Sequence, residues 1–170
     1  RVLGMGSSLD SSRFANLIAQ ELKLPASSVE TMVIGAHGEG MLPLARHTKI
    51  KGVNLEEFLS DEKMEELTKR TVARGAEIVA LLGSGSAFFA PSAAVAQMVK
   101  AIAKDEKKTL GACASLNGEY GIKDICLGVP CRIGREGIEK IMELDLTDKE
   151  KTELSRSADS IRSLLKQLSF

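Results

Sequence analysis

The second half of the chain contains two segments in which apolar residues occupy every second position. One extends from Leu110 to Leu116 and the other from Ile125 to Ile133. A period of two is typical of β-strands that bury one face. The segment 117–121, Asn-Gly-Glu-Tyr-Gly, separates the two runs and has the composition of a turn. We therefore predict an antiparallel strand pair, to which a short strand over 137–144 adds.

In four other segments, apolar residues recur every three or four positions, which predicts amphipathic helices. The first covers 9–22. The second starts at Ser60, whose hydroxyl is a suitable cap, and reaches about Leu82. The third has Pro91 at its first position, and the fourth follows the capping box Thr147–Glu150 and continues to the C-terminus. We expect the apolar stripes of these helices to form the core.

Shorter segments connect these elements. Thr31–Ile34 is rich in β-branched residues and predicts a buried strand, and a glycine-containing loop follows it. Leu44–Val53 alternates weakly and predicts another strand, with His47 exposed on it and without a functional role. Gly75 lies inside the second helix at a cost of about 1 kcal/mol relative to alanine, which indicates either a bend or a close contact. The predicted architecture is α+β, an antiparallel β-sheet packed with long α-helices.

Composition indicates a single globular domain that spans residues 1–170. Hydrophobic residues make up 44% and charged residues 27% of the chain, which is long enough to enclose a core. The 23 basic and 23 acidic residues cancel, so no charge excess favours nucleic acid or an anionic membrane. No apolar run approaches the ~20 residues of a membrane span, and no signal peptide is recognisable. We expect a cytoplasmic protein without nucleic-acid or membrane partners.

The three cysteines give no sign of a disulfide framework or a metal site. Cys113, Cys126 and Cys131 are an odd number, and their spacing is not that of metal ligands. Each lies in an apolar run, where a free cysteine behaves as a small hydrophobic residue. We therefore predict three core cysteines and no bound metal.

Asp10 and Arg13 are candidate functional residues because they lie three positions apart on the first predicted helix. Residues at this spacing share a helix face, and Phe14 continues that face, so both charges border the apolar stripe. Charges there are costly unless each finds a partner. A buried aspartate suits a histidine, and His37 follows a predicted strand between glycines; a planar guanidinium suits a carboxylate ligand. The alternatives are an Asp10–Arg13 ion pair on a solvated helix and a His37 bonded to a core carbonyl group.

These residues are part of a longer pattern that resembles a known family. The segments Leu9–Phe14 (LDSSRF) and Gly35–Glu39 (GAHGE) are similar to the LD-x-x-RF and G-x-HG-(D/E) motifs in the catalytic half of the lactate/malate dehydrogenases. The segments 75–79, 85–91 and 118–124 resemble the malate dehydrogenases that are close to lactate dehydrogenases in sequence. The resemblance covers essentially the whole chain. It departs at the end of the second motif, where the family more often has aspartate and then a hydroxyl residue.

The resemblance implies an NAD-dependent malate dehydrogenase of the tricarboxylic acid cycle, which oxidises (S)-malate reversibly to oxaloacetate. It implies that His37 exchanges a proton with the substrate oxygen, that Asp10 holds the imidazole, and that Arg13 binds the substrate carboxylate. Ser86 is a candidate contact of substrate or cofactor, or an ordinary loop serine. The implied partners are a dicarboxylate substrate, NAD, and further copies of the chain in a homodimer or homotetramer.

These enzymes also carry an N-terminal dinucleotide-binding domain of the Rossmann type, and the chain lacks its fingerprint. No Gly-x-Gly-x-x-Gly sequence follows a predicted strand and opens a helix; Gly4-Met5-Gly6 and Gly83-Ser84-Gly85 are isolated glycine pairs. The chain begins at Arg1 rather than methionine, and residues 1–8 would be a lead-in from the absent domain. We expect a C-terminal catalytic domain that binds NAD mainly through the absent domain and is inactive by itself.

Three other functions remain open from the sequence alone. A lactate dehydrogenase of the same family would use the same residues. A serine hydrolase would use Asp10, His37 and Ser86, which occur in the order of the subtilisin-like enzymes. The chain lacks a nucleophile-elbow sequence, however, and this function would give Arg13 no role. The third is a non-catalytic fragment that serves folding or oligomerisation.

Overall fold

The computed structural model describes residues 2–168. Its first helix, α1 (Gly6–Leu22), begins three residues before the predicted start at Leu9. Ser7 and Ser8 are buried in this added turn, and the Ser7 hydroxyl donates a hydrogen bond to the Val33 carbonyl oxygen. The end of the predicted lead-in is therefore helical. Arg1, where that lead-in begins, lies outside the described residues.

Five short strands follow α1. They are β1 (Val29–Glu30), β2 (Val33–Gly35), β3 (Met41–Pro43), β4 (Lys49–Ile50) and β5 (Val53–Asn54). The strand predicted over Thr31–Ile34 is present as β2, whereas β3 was not predicted. The prediction of one strand over Leu44–Val53 is wrong. A 3₁₀ turn occupies Ala45–His47, and positive φ angles at Lys51 (49°) and Gly52 (86°) reverse the chain between β4 and β5.

Two long helices come next, α2 (Asp61–Leu82) and α3 (Phe89–Ala103). The predicted cap of α2 is confirmed, because the Ser60 hydroxyl accepts a hydrogen bond from the Lys63 amide. Pro91 is the third residue of α3 rather than the first. It still lies in the first turn, where its missing amide proton costs no intrahelical hydrogen bond.

The apolar stripes of α2 and α3 are less buried than predicted. In α2 the buried residues are Leu67 and Thr71, whereas Val79 and Leu82 are 44% and 46% exposed. In α3, Val99 is 57% exposed. The prediction that these stripes form the core is wrong for the C-terminal half of α2 and for one face of α3, because no second layer of the described chain covers them.

The main sheet is antiparallel throughout. It contains β6 (Lys108–Asn117), β7 (Lys123–Gly134) and β8 (Gly137–Ile141). Strands β6 and β7 pair along their length, as predicted, and β8 ends three residues earlier than predicted. The strand order is β3-β2-β7-β6, with β8 also paired to β7. Strands β1, β4 and β5 form a separate small antiparallel sheet.

The last helix, α4 (Asp148–Leu165), starts at the predicted capping box. The Thr147 hydroxyl accepts from the Glu150 amide, and the Glu150 carboxylate accepts from the Thr147 amide. Leu154 and Ala158 on its stripe are buried. The helix ends before the predicted C-terminus, and positions 169 and 170 lie outside the described residues.

Two apolar clusters form the core. One lies between the main sheet and helices α3 and α4, and the other between α1, α2 and strands β1 to β4. The prediction of an α+β fold is confirmed. The prediction of three core cysteines is wrong for Cys126, which is exposed on the outer face of β7, and Cys113 is only half-buried. Burial raises the pKa of the Cys131 thiol to about 12, so this thiol is inert.

Candidate active site

Helix α1 buries a carboxylate beside a guanidinium. Asp10 is 1% exposed and Arg13 is 10% exposed, measured on their side chains. Their spacing places them on one face of the helix, and Arg13 Nη1 lies 3.4 Å from Asp10 Oδ1. This contact is long for a hydrogen bond between charged groups. The two side chains therefore form an ion pair, but this contact does not use the full hydrogen-bonding capacity of the guanidinium.

The loop between β2 and β3 brings His37 to Asp10. Gly35, the last residue of β2, has a φ of 90°, which directs the chain out of the sheet. His37 Nδ1 then lies 2.7 Å from Asp10 Oδ2. The imidazole packs against Gly6 of α1, where a Cβ atom would lie 2.8 Å from the His37 Cβ. A larger residue at position 6 would push the ring away from Asp10.

The Asp10 carboxylate sets the proton affinity of His37. The hydrogen bond and the charge of Asp10 raise the pKa of His37, against the opposing effects of partial burial and of the Arg13 charge. Because an ionised carboxylate only accepts hydrogen bonds, the Nδ1 atom carries a proton. Within residues 2–168, no protein group bonds to Nε2, and the side chain is 52% exposed. This nitrogen is free to exchange a proton with a ligand.

Arg13 retains unused hydrogen-bonding capacity. Its Nε atom is buried and has no hydrogen-bond partner among the described residues. Helix α2 crosses beside it, and a Cβ atom at Gly75 would lie 3.3 Å from Arg13 Nη1. The glycine in the middle of α2 thus marks a close contact with the guanidinium rather than a break, since α2 continues to Leu82. A buried cation with free donors is suited to an anionic ligand.

Comparison with known proteins assigns the family. The sequence-family model that describes the lactate/malate dehydrogenase α/β C-terminal domain matches residues 7–169. The malate dehydrogenase of Halalkalibacterium halodurans is 46% identical over 168 residues, which are 99% of this chain and 54% of that protein. The chain belongs to the lactate/malate dehydrogenase family. It spans about half the length of the curated relatives it matches.

Solved structures of family members have the same fold. The malate dehydrogenase of Salinibacter ruber matches with a TM-score of 0.94 at 42% identity, over 98% of this chain and 54% of that one. A lactate dehydrogenase of Cryptosporidium parvum, solved with lactic acid and NAD, matches with a TM-score of 0.92 at 38% identity, over 99% and 56%. The fold of this chain is therefore similar to that of both a malate dehydrogenase and a lactate dehydrogenase.

Ser86 is not part of the Asp10–His37 cluster. It is exposed in the loop between α2 and α3, and within the described chain no hydrogen bond joins it to His37 or Asp10. A serine nucleophile needs such a bond to its base. The serine-hydrolase alternative thus gains no support, and a contact of Ser86 with substrate or cofactor stays a prediction.

His47 has structural contacts that the sequence did not indicate. Its ring is partly buried, and its Nε2 atom lies 3.0 Å from the Asp145 carbonyl oxygen, to which the Arg46 guanidinium also donates. Both residues belong to the 3₁₀ turn after β3 and join it to the segment before α4. The prediction of an exposed His47 is therefore wrong, and the contacts are structural.

Residues 2–168 contain neither a metal-ligand cluster nor a bilayer-spanning helix. No group of three or more His, Cys, Asp or Glu side chains is arranged to hold a metal ion there. None of the helices in that range combines the length and the apolar character needed to cross a bilayer.

Proposed function

We propose that this chain is the substrate-binding and proton-transfer half of an NAD-dependent malate dehydrogenase, which interconverts (S)-malate and oxaloacetate. The observation that carries the proposal is the Asp10–His37 pair beside the incompletely bonded guanidinium of Arg13. To act on a 2-hydroxy acid, a protein needs a group that exchanges the hydroxyl proton and a cation that binds the carboxylate. Both are supplied here by residues on α1 and its neighbouring loop.

His37 acts as the acid and the base. During oxaloacetate reduction, His37 Nε2–H donates a proton to the ketone oxygen, and during malate oxidation the same nitrogen accepts the hydroxyl proton. Asp10 keeps the Nδ1 proton in place and stabilises the imidazolium, because it accepts the hydrogen bond at 2.7 Å. Bound nicotinamide supplies or accepts the hydride in this reaction.

Arg13 orients the substrate. A guanidinium binds a carboxylate through two parallel hydrogen bonds, and each bond to a charged group contributes about 1.5–3 kcal/mol. The substrate carboxylate would complete the bonding of a side chain that is 10% exposed and paired only at 3.4 Å with Asp10. Two fixed contacts with the carboxylate would hold the neighbouring ketone or hydroxyl oxygen within reach of His37 for proton transfer.

The names of the relatives favour malate over lactate as the proposed substrate. The curated relatives at 45–46% identity are named malate dehydrogenases. The lactate dehydrogenase of Eimeria maxima, solved with NADH and oxamate, is 40% identical over 94% of this chain. A lactate dehydrogenase is the second candidate, since Asp10, Arg13 and His37 would serve either substrate.

NAD would be held mainly by an N-terminal dinucleotide-binding domain that is not in this chain. The site fits such a division, because the groups at its centre serve a carboxylate and a proton, and no dinucleotide fingerprint occurs in the sequence. Ser86, exposed in the loop after α2, would lie on the cofactor side. The 170-residue chain alone should therefore oxidise NADH with oxaloacetate no faster than the background rate.

The test uses a chimeric enzyme that joins this chain to the part of the Halalkalibacterium halodurans malate dehydrogenase that it does not match. The chimeric enzyme should oxidise NADH when oxaloacetate is added, and His37→Gln should lower its kcat by roughly 10²–10⁴-fold. Its matched control is His47→Gln, which removes the other histidine. Turnover by the 170-residue chain alone, or full activity of His37→Gln, would contradict the proposal.

A further inference from the structure

Ser157 of α4 contacts the loop that carries His37. The side chain is 5% exposed and belongs to a helix that begins more than a hundred residues after the loop. Neither Asp10 nor His37 touches it through a hydrogen bond. The loop and this part of α4 nevertheless meet in the interior, which places Ser157 behind the proposed catalytic histidine.

The Ser157 hydroxyl bonds to the loop backbone on both sides of His37. It accepts a hydrogen bond from the Ala36 amide at 2.8 Å and donates one to the Gly40 carbonyl oxygen at 2.6 Å. A hydroxyl has one proton to donate and lone pairs to accept, so it forms both bonds together. The two partners are the residue directly before His37 and the residue three positions after it.

Glycine residues create the space for this contact. A Cβ atom at Gly35 would lie 2.9 Å from the Ser157 Oγ, and one at Gly40 would lie 3.1 Å from it. The loop's own backbone hydrogen bond, from the Met41 amide to the Gly38 carbonyl oxygen, involves neither Ala36 nor Gly40. The hydroxyl thus restrains two positions that this bond leaves free.

We propose that Ser157 is a positioning residue, whose hydroxyl holds the backbone around His37 so that the imidazole stays on Asp10. Its consequence for turnover rests on the proposed function, but the contact itself can be tested without substrate or cofactor. Ser157 acts through the loop, because its own hydrogen bonds go to Ala36 and Gly40.

The titration of His37 reports on this geometry, because the hydrogen bond that the ring donates to Asp10 is the largest influence on the pKa of His37. Ser157→Ala removes none of the charged groups near the ring. They are Asp10 and Arg13 on α1 and the residues that line, with His37, a cleft of about 630 Å³ beside α4: Glu39, Glu153 and Arg156. A shifted titration would therefore indicate a displaced ring.

The first measurement is hydrogen–deuterium exchange, followed by NMR on the unmodified 170-residue chain. The Ala36 amide is bonded to the hydroxyl, so its exchange rate should be at least about tenfold lower than that of the Gly38 amide in the same loop. Equal exchange of the two amides would overturn the proposal. This measurement needs no variant, so it decides the question even if a substitution prevents folding.

The second measurement compares Ser157→Ala with Ser160→Ala. Ser160 is a matched control, because its hydroxyl donates to the Ser157 carbonyl oxygen within α4 at 2.7 Å and does not bond to the loop. Ser157→Ala should move the NMR titration midpoint of His37 to lower pH and speed Ala36 exchange, and Ser160→Ala should do neither. Identical His37 titrations in the two variants would overturn the proposal. An inactive chimeric enzyme with these NMR results intact would instead contradict the proposed function alone.

Discussion

At the scale of single residues, the site depends on unequal exposure of three charged groups. Asp10 is fully buried, Arg13 nearly so, and His37 half-exposed. The buried carboxylate has two partners, which offset the cost of removing its charge from water. The exposed edge of the imidazole is the part that a substrate can reach. Burial of Asp10 and exposure of His37 together are what the proposed acid–base role requires.

Replacing Asp10 by Asn should lower the pKa of His37. The Asp10 hydrogen bond and charge are what raise this pKa, so their loss leaves partial burial and the Arg13 charge, which both lower it. The imidazolium–carboxylate pair stabilises the folded chain below the ordinary histidine pKa of about 6.5, and this contribution is lost as pH rises through the raised value. NMR titration of His37 in both proteins measures the shift.

The same substitution gives a stability prediction with a definite sign. The melting temperature of Asp10→Asn should fall furthest below that of the unmodified chain at about pH 5.5, and the gap should narrow toward about pH 9. A gap that widens with increasing pH would show that the Asp10–His37 pair does not contribute in the proposed protonation state.

Gly75→Ala should separate stability from substrate binding. Alanine in place of glycine favours a helix by about 1 kcal/mol, and the neighbouring Arg13 Nη1 is the end of a flexible side chain, so the melting temperature should rise. The added Cβ, 3.3 Å from Nη1, should displace the guanidinium and raise the KM for oxaloacetate in the chimeric enzyme. Ala73→Gly, at an exposed position of α2, is the control: it should lower the melting temperature and leave KM unchanged.

At the scale of elements, the sequence predicted best where one pattern decides the structure. Strands β6 and β7 alternate without interruption, and α4 has a capping box, so both were located to within a few residues. The short strands β3 to β5 were not, because an element of two or three residues is too short to show a repeated alternation of apolar and polar positions. The early start of α1 depends on Ser7 binding the Val33 carbonyl, a contact that local sequence does not indicate.

Helical periodicity predicted the faces of α2 and α3 but not what covers them. An apolar stripe shows that a surface avoids water, and the partner that buries it need not be in the same chain. This is why Val79, Leu82 and Val99 are exposed although they fit the stripes. Which apolar residues of these stripes are buried could be determined only from the structure.

For the candidate site, the sequence indicated the charged residues but not the residues that support them. Helical spacing predicts that Asp10 and Arg13 share a face, and both the position of His37 after a predicted strand and the family resemblance point to His37 as the partner of Asp10. Gly6, which makes room for the imidazole, and Ser157, which supports the loop, were not identified, since their roles arise from contacts between distant elements. For Gly75 the sequence indicated a bend or a close contact, but it did not show that the contact is with Arg13.

At the scale of the whole molecule, exposed apolar side chains cluster on α2, α3 and the loop between them. Leu81, Phe88 and Phe89 are 79%, 60% and 82% exposed. Surfaces of this kind usually mark interaction sites. We expect the 170-residue chain to self-associate, so sedimentation velocity should detect species heavier than 18.2 kDa as concentration rises. Phe89→Lys should weaken this association, and a monomer at every concentration would contradict it.

The central claim is that this chain provides the clamp for the substrate carboxylate, and Arg13→Lys in the chimeric enzyme tests it most directly. Lysine keeps the charge, so the protein should stay folded, but it loses the planar pair of donors. The KM for oxaloacetate and the fluorescence titration of NADH are measured on the same preparation, with Arg70→Lys on the exposed surface of α2 as the control. We predict that KM rises by about one to two orders of magnitude, as loss of one charged hydrogen bond implies, while NADH binding is unchanged. An unchanged KM would show that Arg13 is only an ion-pair partner of Asp10, and the account of the site would be wrong.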